Sequence, residues 1–253
     1  MTANEYLQSL LDSQRLNEKS IDNLRHLRSK IQNQLSVLEG NPRFYYAGSY
    51  GKKTMIAARY DLDIVIYWPK SASYTIKGIY NGVGDQLKKH WNSVQPKTVS
   101  WELSFPGNFH IDVVPGRALD DEYYNANLHR NDTDTTLKTS LKKHIDTVRS
   151  SGRRDAIRLM KLWRERRSVP LKKSFLLELL TIAGCSGTSY TDLQAQITNT
   201  FCYIRDNIET CKVVDPANSN NSLSDELTNY QRSRIKERAQ AAINAKYWRD
   251  IFE

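Results

Sequence analysis

Ala47–Ile66 reads AGSYGKKTMIAARYDLDIVI, a glycine-serine loop that leads into two aspartates. The aspartates, Asp61 and Asp63, stand two residues apart at the start of an apolar, β-branched run. Side chains at i and i+2 of a strand point to the same face, so both carboxylates can bind one cation. An acid inside an apolar strand is costly to bury unless positive charge lies beside it. The pattern therefore predicts a strand that carries a metal site.

A third acid, Asp112, stands alone in the apolar run Phe109–Pro115, which reads FHIDVVP. If this run pairs with the first strand, its carboxylate joins the other two. Three carboxylates and triphosphate oxygens make the all-oxygen site that Mg²⁺ or Mn²⁺ prefers. Two such ions would stabilise the attacking and the leaving oxygens of an in-line displacement. Taken singly, each acid has an alternative role as a turn or structural strand residue.

The loop supplies the phosphate side of this hypothesis. Gly48 permits close approach of the backbone to a phosphate, and the Ser49 hydroxyl and neighbouring amides can donate to phosphate oxygens. A helix predicted from Gly51 to Ile56 would direct its N-terminus at the same anion. A Gly-Ser pair alone usually marks a plain turn. The spacing of twelve residues from Ser49 to Asp61 is what makes the pair informative.

Composition narrows the class of protein. The chain has 253 residues, 39% hydrophobic and 26% charged, which is typical of a globular protein. Its 37 Lys and Arg exceed its 28 Asp and Glu, and the net charge of +9 favours nucleotide or RNA partners without separating the two. No apolar run could span a bilayer, no signal sequence is visible, and the three cysteines lack metal or disulfide spacing. These features predict a cytoplasmic protein with no membrane partner.

The apolar pattern predicts an α+β chain in three segments. Residues 1–40 form a long N-terminal helix, over 3–38, that braces both modules, and Gly40-Asn41-Pro42 ends it. Residues 41–118 form the α/β catalytic core, and residues 119–253 form a helical domain that begins with a polar connection over 119–134. The predicted strands are 44–47, 62–67, 98–103 and 108–114. The predicted helices are 78–91, 136–149, 152–168, 174–184, 190–208 and 224–250, with an extended loop over 213–222.

Three later segments narrow the family. Arg158–Arg164 reads RLMKLWR, Ser174–Leu180 reads SFLLELL, and Val213–Asn221 reads VVDPANSNN. The Gly-Ser loop and the three acids resemble those of the polymerase-β-type nucleotidyltransferase superfamily. The later segments are similar to those of oligoadenylate synthases and bacterial cyclic-oligonucleotide synthases. The resemblance covers about residues 20–250, in collinear order.

This resemblance implies a nucleotidyltransferase palm with a mixed sheet and a C-terminal helical domain. It implies metal-dependent transfer from nucleoside triphosphates, with release of pyrophosphate, to make a cyclic or linear oligonucleotide second messenger in anti-phage defence. The residues that it implies for two metal ions are Asp61, Asp63 and Asp112. Those that it implies for the nucleotide phosphates are Gly48, Ser49, Lys161 and Ser174. Without the resemblance, Lys161 would be interpreted as a solvated surface lysine.

Other hypotheses stay open at this stage. The enzyme could add nucleotides to an RNA 3′ end or transfer a nucleotide to a protein, and the net charge keeps RNA in view. A non-catalytic RNA-binding relative has less support, because a binder has no physical reason to keep three unpaired acids in apolar strands. His110 shares the strand face of Asp112 and could approach the site, but a strand histidine is more often structural, and that interpretation is favoured. No motif specifies the base, the linkage, cyclisation or the oligomeric state.

Overall fold

The computed structural model describes residues 2–253, which form two compact units that interleave in sequence. The first unit contains the chain up to Arg15, Lys53–Arg59 and Asp146–Glu253, and the second contains Leu16–Lys52 and Tyr60–Ile145. The predicted segments 1–40, 41–118 and 119–253 are each continuous, whereas both units are assembled from separated stretches. Within the described residues, no helix is long and apolar enough to cross a membrane.

The second unit is built on a mixed sheet, as predicted. Its strands within residues 2–253 are ordered β1-β2-β5-β4-β3, with β6 paired to the later half of β5 and β7 paired to β6. The pair β2–β5 is parallel and the other pairs are antiparallel. The strands are β1 Arg43–Tyr46, β2 Leu62–Trp68, β3 Val94–Pro96, β4 Trp101–Ser104, β5 His110–Ala118, β6 Ala126–Arg130 and β7 Thr135–Thr139.

The core of this unit explains why β2 is so apolar. Leu62, Ile64 and Ile66 are fully buried, and they alternate with side chains on the opposite face that start with Asp63. A parallel strand covered on both sides reads as a nearly continuous apolar run. The helices are α2 Glu18–Leu35, α3 Gly48–Lys52 and α4 Ile76–Lys88, and α4 contacts α2 and β5.

The first unit is helical and has its own core. Trp163 and Phe201 meet edge to face, with ring centroids 5.2 Å apart, among buried aliphatic side chains. Its elements are α1 Ala3–Ser13, α6 Arg154–Arg166, α7 Ser174–Gly184, α8 Leu193–Asn207, β8 Val214–Asp215, β9 Asn218–Ser222, α9 Asn229–Asn244 and α10 Arg249–Phe252; α5 Leu141–Ser150 begins in the second unit and continues into the first.

The single N-terminal helix predicted over 3–38 is wrong, since the chain forms α1 and α2 instead. Gln14 ends the first helix, and its backbone and side-chain carbonyls accept the N–H groups of Ala57 and Ala58 at 3.0 and 2.9 Å. Asn17 then caps α2 by accepting the N–H of Ser20. The apolar spacing continues across the break. The prediction failed because periodicity alone does not reveal a capping residue that starts a new helix.

Five other parts of the chain differ from prediction. The polar connection over 119–134 contains β6, and β7 occupies the start of the helix predicted from 136. The short strand β3 was missed beside β4. The loop over 213–222 is a hairpin of β8 and β9, and the helix over 224–250 is divided into α9 and α10. These strands are short or polar, so they lack the apolar runs by which strands are recognised.

Candidate active site

β2 and β5 place two of the predicted acids side by side. Asp63 and Asp112 are register partners in the parallel pair, so their side chains leave the same face of the sheet. This confirms the expectation that the two runs pair. Asp61 lies immediately before β2, two residues from Asp63, and therefore approaches the same face. The backbone thus brings all three acids to one face of the sheet in the second unit.

His110 lies between two of these acids. Its Nε2 is 3.4 Å from Asp61 Oδ2 and 3.7 Å from Asp112 Oδ2. Its spacing of two residues from Asp112 on one strand predicted that it shares this face and could approach the site. The structure places it there, whereas the sequence favoured a structural role.

Two polar groups that the sequence analysis missed lie beside Asp112, namely Glu102 of β4 and Ser100, which immediately precedes β4. Ser100 Oγ donates to Asp112 Oδ1 at 2.9 Å. Glu102 is the cross-strand register partner of Asp112, and it forms an ion pair with Lys97 at 2.9 Å. The hydrogen bond from Lys97 holds the pKa of Glu102 below its usual value, so this carboxylate is ionised at neutral pH. The sequence signal for this pair is the two-residue spacing of Ser100 and Glu102, which places both side chains on one side of an extended chain.

The Asp112 carboxylate lies in an environment that disfavours its charge. Burial raises the pKa of Asp112 above its usual value; the hydrogen bond from Ser100 and the nearby His110 oppose this, while Glu102 and Asp61 add to it. A bound cation would relieve both the lost solvation and the repulsion between acids. The electrostatics of the face therefore suit a positively charged ligand.

The glycine-serine loop is held directly against Asp63. Gly48 has φ +48°, and a Cβ added to it would lie 1.6 Å from Asp63 Oδ2. Only glycine fits there, both for the backbone conformation and for the space. The Ala47 N–H donates to the Asp63 carbonyl at 2.9 Å, which ties the loop to β2. The helix predicted from Gly51 begins earlier, since α3 spans Gly48–Lys52 and ends before Lys53, which has φ 60°.

The donor set fits a hard divalent cation, although the carboxylates do not converge on one point. Among residues 2–253, no group of three or more His, Cys, Asp or Glu side chains is placed to hold a metal ion as it stands. Two of the acids flank His110, and the Asp63 carboxylate lies against Gly48. Carboxylate oxygens on one sheet face are nevertheless the ligands that Mg²⁺ and Mn²⁺ take in proteins.

Lys161 belongs to the first unit and is buried, so its interpretation as a surface lysine is wrong. It is 4% exposed, and its Nζ lies 2.6 Å from Oε1 of Glu178, which is 1% exposed. The same ammonium donates to Thr54 Oγ1 at 2.8 Å. α6 and α7 are therefore joined by a buried ion pair with a hydroxyl beside it. A contact between Lys161 and a phosphate stays a prediction.

Ser174 is the first residue of α7 and lies near the same junction. Its Oγ accepts a hydrogen bond from Nη1 of Arg164 at 2.9 Å. This contact is the second polar link between α6 and α7, one turn from the Lys161–Glu178 pair on each helix. The phosphate role of Ser174 likewise stays a prediction.

Residues 1–151 match the family model described as the Second Messenger Oligonucleotide or Dinucleotide Synthetase domain. The chain belongs to this family. The matched region includes the loop, all three acids and His110. Synthetases of this family are nucleotidyltransferases that use nucleoside triphosphates and generally depend on divalent metal, so the chain is an enzyme that makes an oligonucleotide second messenger. The resemblance drawn from the sequence is confirmed.

Solved structures with low sequence identity share the synthetase fold. CdnC from E. coli MS115-1, solved with ATP, is 20% identical and aligns over 99% of this chain and 98% of its own, with a TM-score of 0.76. CdnG from Bradyrhizobium diazoefficiens, in complex with GTP, is 14% identical over 98% of this chain and 95% of its own, with a TM-score of 0.72. DncV, the cyclic AMP-GMP synthase of Vibrio cholerae, is 18% identical over 96% and 80%, with a TM-score of 0.67. A comparison with curated proteins finds no match.

Proposed function

We propose that the sheet face around Asp61, Asp63 and Asp112 is the active site at which this synthetase joins nucleoside triphosphates into a cyclic or linear oligonucleotide. The observation that carries the proposal is the register of Asp63 with Asp112, with Asp61 beside them and Gly48 against Asp63. An acid cluster that is partly withdrawn from solvent, as this one is, is unfavourable unless it serves a cationic ligand.

The proposed roles follow from these positions. The three aspartates would hold two Mg²⁺ or Mn²⁺ ions, which when bound supply positive charge for the phosphates and for the attacking and leaving oxygens. Asp112 would also accept the proton of the attacking ribose hydroxyl, since its carboxylate lies between Ser100 and His110 on this face. Attack at the α-phosphorus forms the new phosphodiester bond and releases pyrophosphate.

The glycine-serine loop would bind the triphosphate. Ser49 and the amides that follow Gly48 can donate to phosphate oxygens. Lys161 and Ser174 would hold further phosphate oxygens, as the resemblance implies. The ion pair with Glu178 and the hydrogen bond from Arg164 would then orient these two groups before the substrate arrives. An in-line displacement needs little covalent chemistry from the protein, so positioning and charge supply most of the rate.

The proposed messenger would act in bacterial anti-phage defence. The second candidate function is nucleotide addition to an RNA end, which the net charge of +9 favours. Incubation with each labelled triphosphate and Mg²⁺ or Mn²⁺, with and without RNA, separates the two. A labelled oligonucleotide formed without RNA supports the messenger. Label that appears only on added RNA contradicts it.

The acid assignment is tested by the double substitution Asp61→Asn and Asp63→Asn. We expect turnover to be abolished while the thermal unfolding temperature stays close to that of the unmodified enzyme, because both side chains keep their shape. Asp22→Asn is the matched control, since Asp22 is an exposed acid of α2 that pairs with neighbouring Arg25. Undiminished turnover in the double variant would refute the metal assignment.

A further inference from the structure

The two oxygens of the Asp112 carboxylate face different partners. Oδ1 accepts the hydrogen bond from Ser100 Oγ at 2.9 Å. Oδ2 is the oxygen nearest His110 Nε2, at 3.7 Å, and the same nitrogen is 3.4 Å from Asp61 Oδ2. Ser100 therefore engages one oxygen, while the other is directed toward the side on which Asp61 lies.

The backbone that carries this hydroxyl is itself fixed. The carbonyl of Ser100 accepts the N–H of Lys97 at 2.8 Å and the hydroxyl of Tyr80 at 3.2 Å. Tyr80 is 1% exposed and packs on Trp101, with ring centroids 4.9 Å apart. Ser100 is 7% exposed, so water has little access to replace its hydroxyl. A hydrogen bond from such a supported group can set the rotation of a carboxylate.

We propose that Ser100 is a positioning residue for metal binding, one that holds Oδ1 of Asp112 and so leaves Oδ2 as the oxygen offered to the cation. The inference rests on the proposed function, because it assumes that Asp112 is a metal ligand. Without the hydroxyl, the Asp112 carboxylate can rotate. The cation must then order it on binding, which makes the net free energy of metal binding less favourable. Groups that orient metal ligands in this way typically contribute about 10- to 100-fold to metal affinity.

The test measures Mn²⁺ binding to the full chain without nucleotide, by the electron paramagnetic resonance signal of the free ion. Ser100→Ala is expected to raise the Mn²⁺ dissociation constant about tenfold or more. In turnover, the half-saturating Mg²⁺ concentration should rise, while KM for the triphosphate at saturating Mg²⁺ stays nearly constant. A purely structural role would not produce that difference. Ser100→Gly, which also lacks the hydroxyl, replaces the first variant if its unfolding temperature falls.

Ser104→Ala is the matched control. Ser104 is the last residue of β4, the strand that Ser100 immediately precedes, and it donates to Glu102 at 3.1 Å, not to Asp112, so Mn²⁺ binding should be unchanged. Asp112→Asn should greatly reduce Mn²⁺ binding. If it does and the folded Ser100 variants bind Mn²⁺ within twofold of the unmodified enzyme, the inference is overturned and the proposed active site stands. If Asp112→Asn binds Mn²⁺ normally, the proposed active site itself fails.

Discussion

Gly48 shows how a single residue can be required by its neighbour. Its φ of +48° favours glycine, and its Cα lies so close to the Asp63 carboxylate that any side chain would overlap it. The glycine therefore serves the acid as well as the loop. The sequence predicted the need for close approach at Gly48, but assigned it to a phosphate and not to a carboxylate of the same chain.

Gly48→Ala is predicted to lower turnover by about 100-fold, the cost of displacing a reacting group by about 1 Å. The added Cβ would lie 1.6 Å from Asp63 Oδ2, so either the loop or the carboxylate must move. Steady-state kinetics of oligonucleotide formation check this. Gly82→Ala is the control, because a Cβ on Gly82 of α4 meets nothing within 4 Å. That variant should keep full activity and gain up to about 1 kcal/mol of stability. Normal turnover of Gly48→Ala would show that the loop does not need this contact.

At the same scale, the sequence predicted the acids but not the groups that support them. Asp63 and Asp112 are recognisable because aspartate is unfavourable in an apolar strand. Ser100 and Glu102 are ordinary residues for a short strand near a sheet edge, so their types carry no signal. The importance of Glu102 comes from its antiparallel register with Asp112, and that of Ser100 comes from its hydrogen bond to Asp112. No local pattern encodes either contact. Supporting residues of this kind become visible only once strand pairing is known.

Among the elements, apolar runs and clear caps were predictable and polar strands were not. β1, β2 and β5 were expected because β-branched and aromatic residues mark them, and α7 begins and ends at the predicted residues. β6 and β7 have exposed or half-buried polar side chains along one face, which reads as a connection. β6 forms because β5 offers it an open edge for hydrogen bonding, and β7 forms on the edge of β6; both are tertiary effects that override local propensity.

The junction of α6 and α7 contains the strongest buried polar contact described for the first unit. The Lys161–Glu178 pair is 4% and 1% exposed, so each charge depends on the other for solvation. Lys161→Met is predicted to lower the free energy of unfolding by about 3–5 kcal/mol, because it removes the ammonium that balances the charge of the buried Glu178 carboxylate. Denaturant unfolding at neutral pH measures the loss.

The double variant Lys161→Met with Glu178→Leu tests the cause of that loss. We expect it to recover most of the stability, since an apolar pair of similar volume can replace a buried ion pair. Lys70→Met is the surface control, because the Lys70–Asp121 pair is exposed and should matter little. A double variant no more stable than Lys161→Met would show that packing, not the unpaired charge, causes the effect. Recovered stability with a raised KM for triphosphate would support a phosphate role for Lys161.

For the whole molecule, the net charge of +9 has two interpretations that differ in salt dependence. Non-specific association with RNA releases counterions and weakens steeply as salt rises. Triphosphate binding at a few fixed groups beside a metal site changes far less over the same range, because buried charges are screened less than exposed ones.

We therefore predict that RNA binding and messenger synthesis separate between 50 and 200 mM salt. RNA retention on a filter should fall by at least about tenfold, because a protein that contacts several phosphates loses that much or more over this range. Oligonucleotide formation at saturating triphosphate and Mg²⁺ should change by no more than about twofold, because a saturated site close to the metal is only weakly screened. A noncognate acidic protein of similar size serves as the control for filter retention. Parallel loss of both signals would instead make RNA part of the reaction, as acceptor or activator.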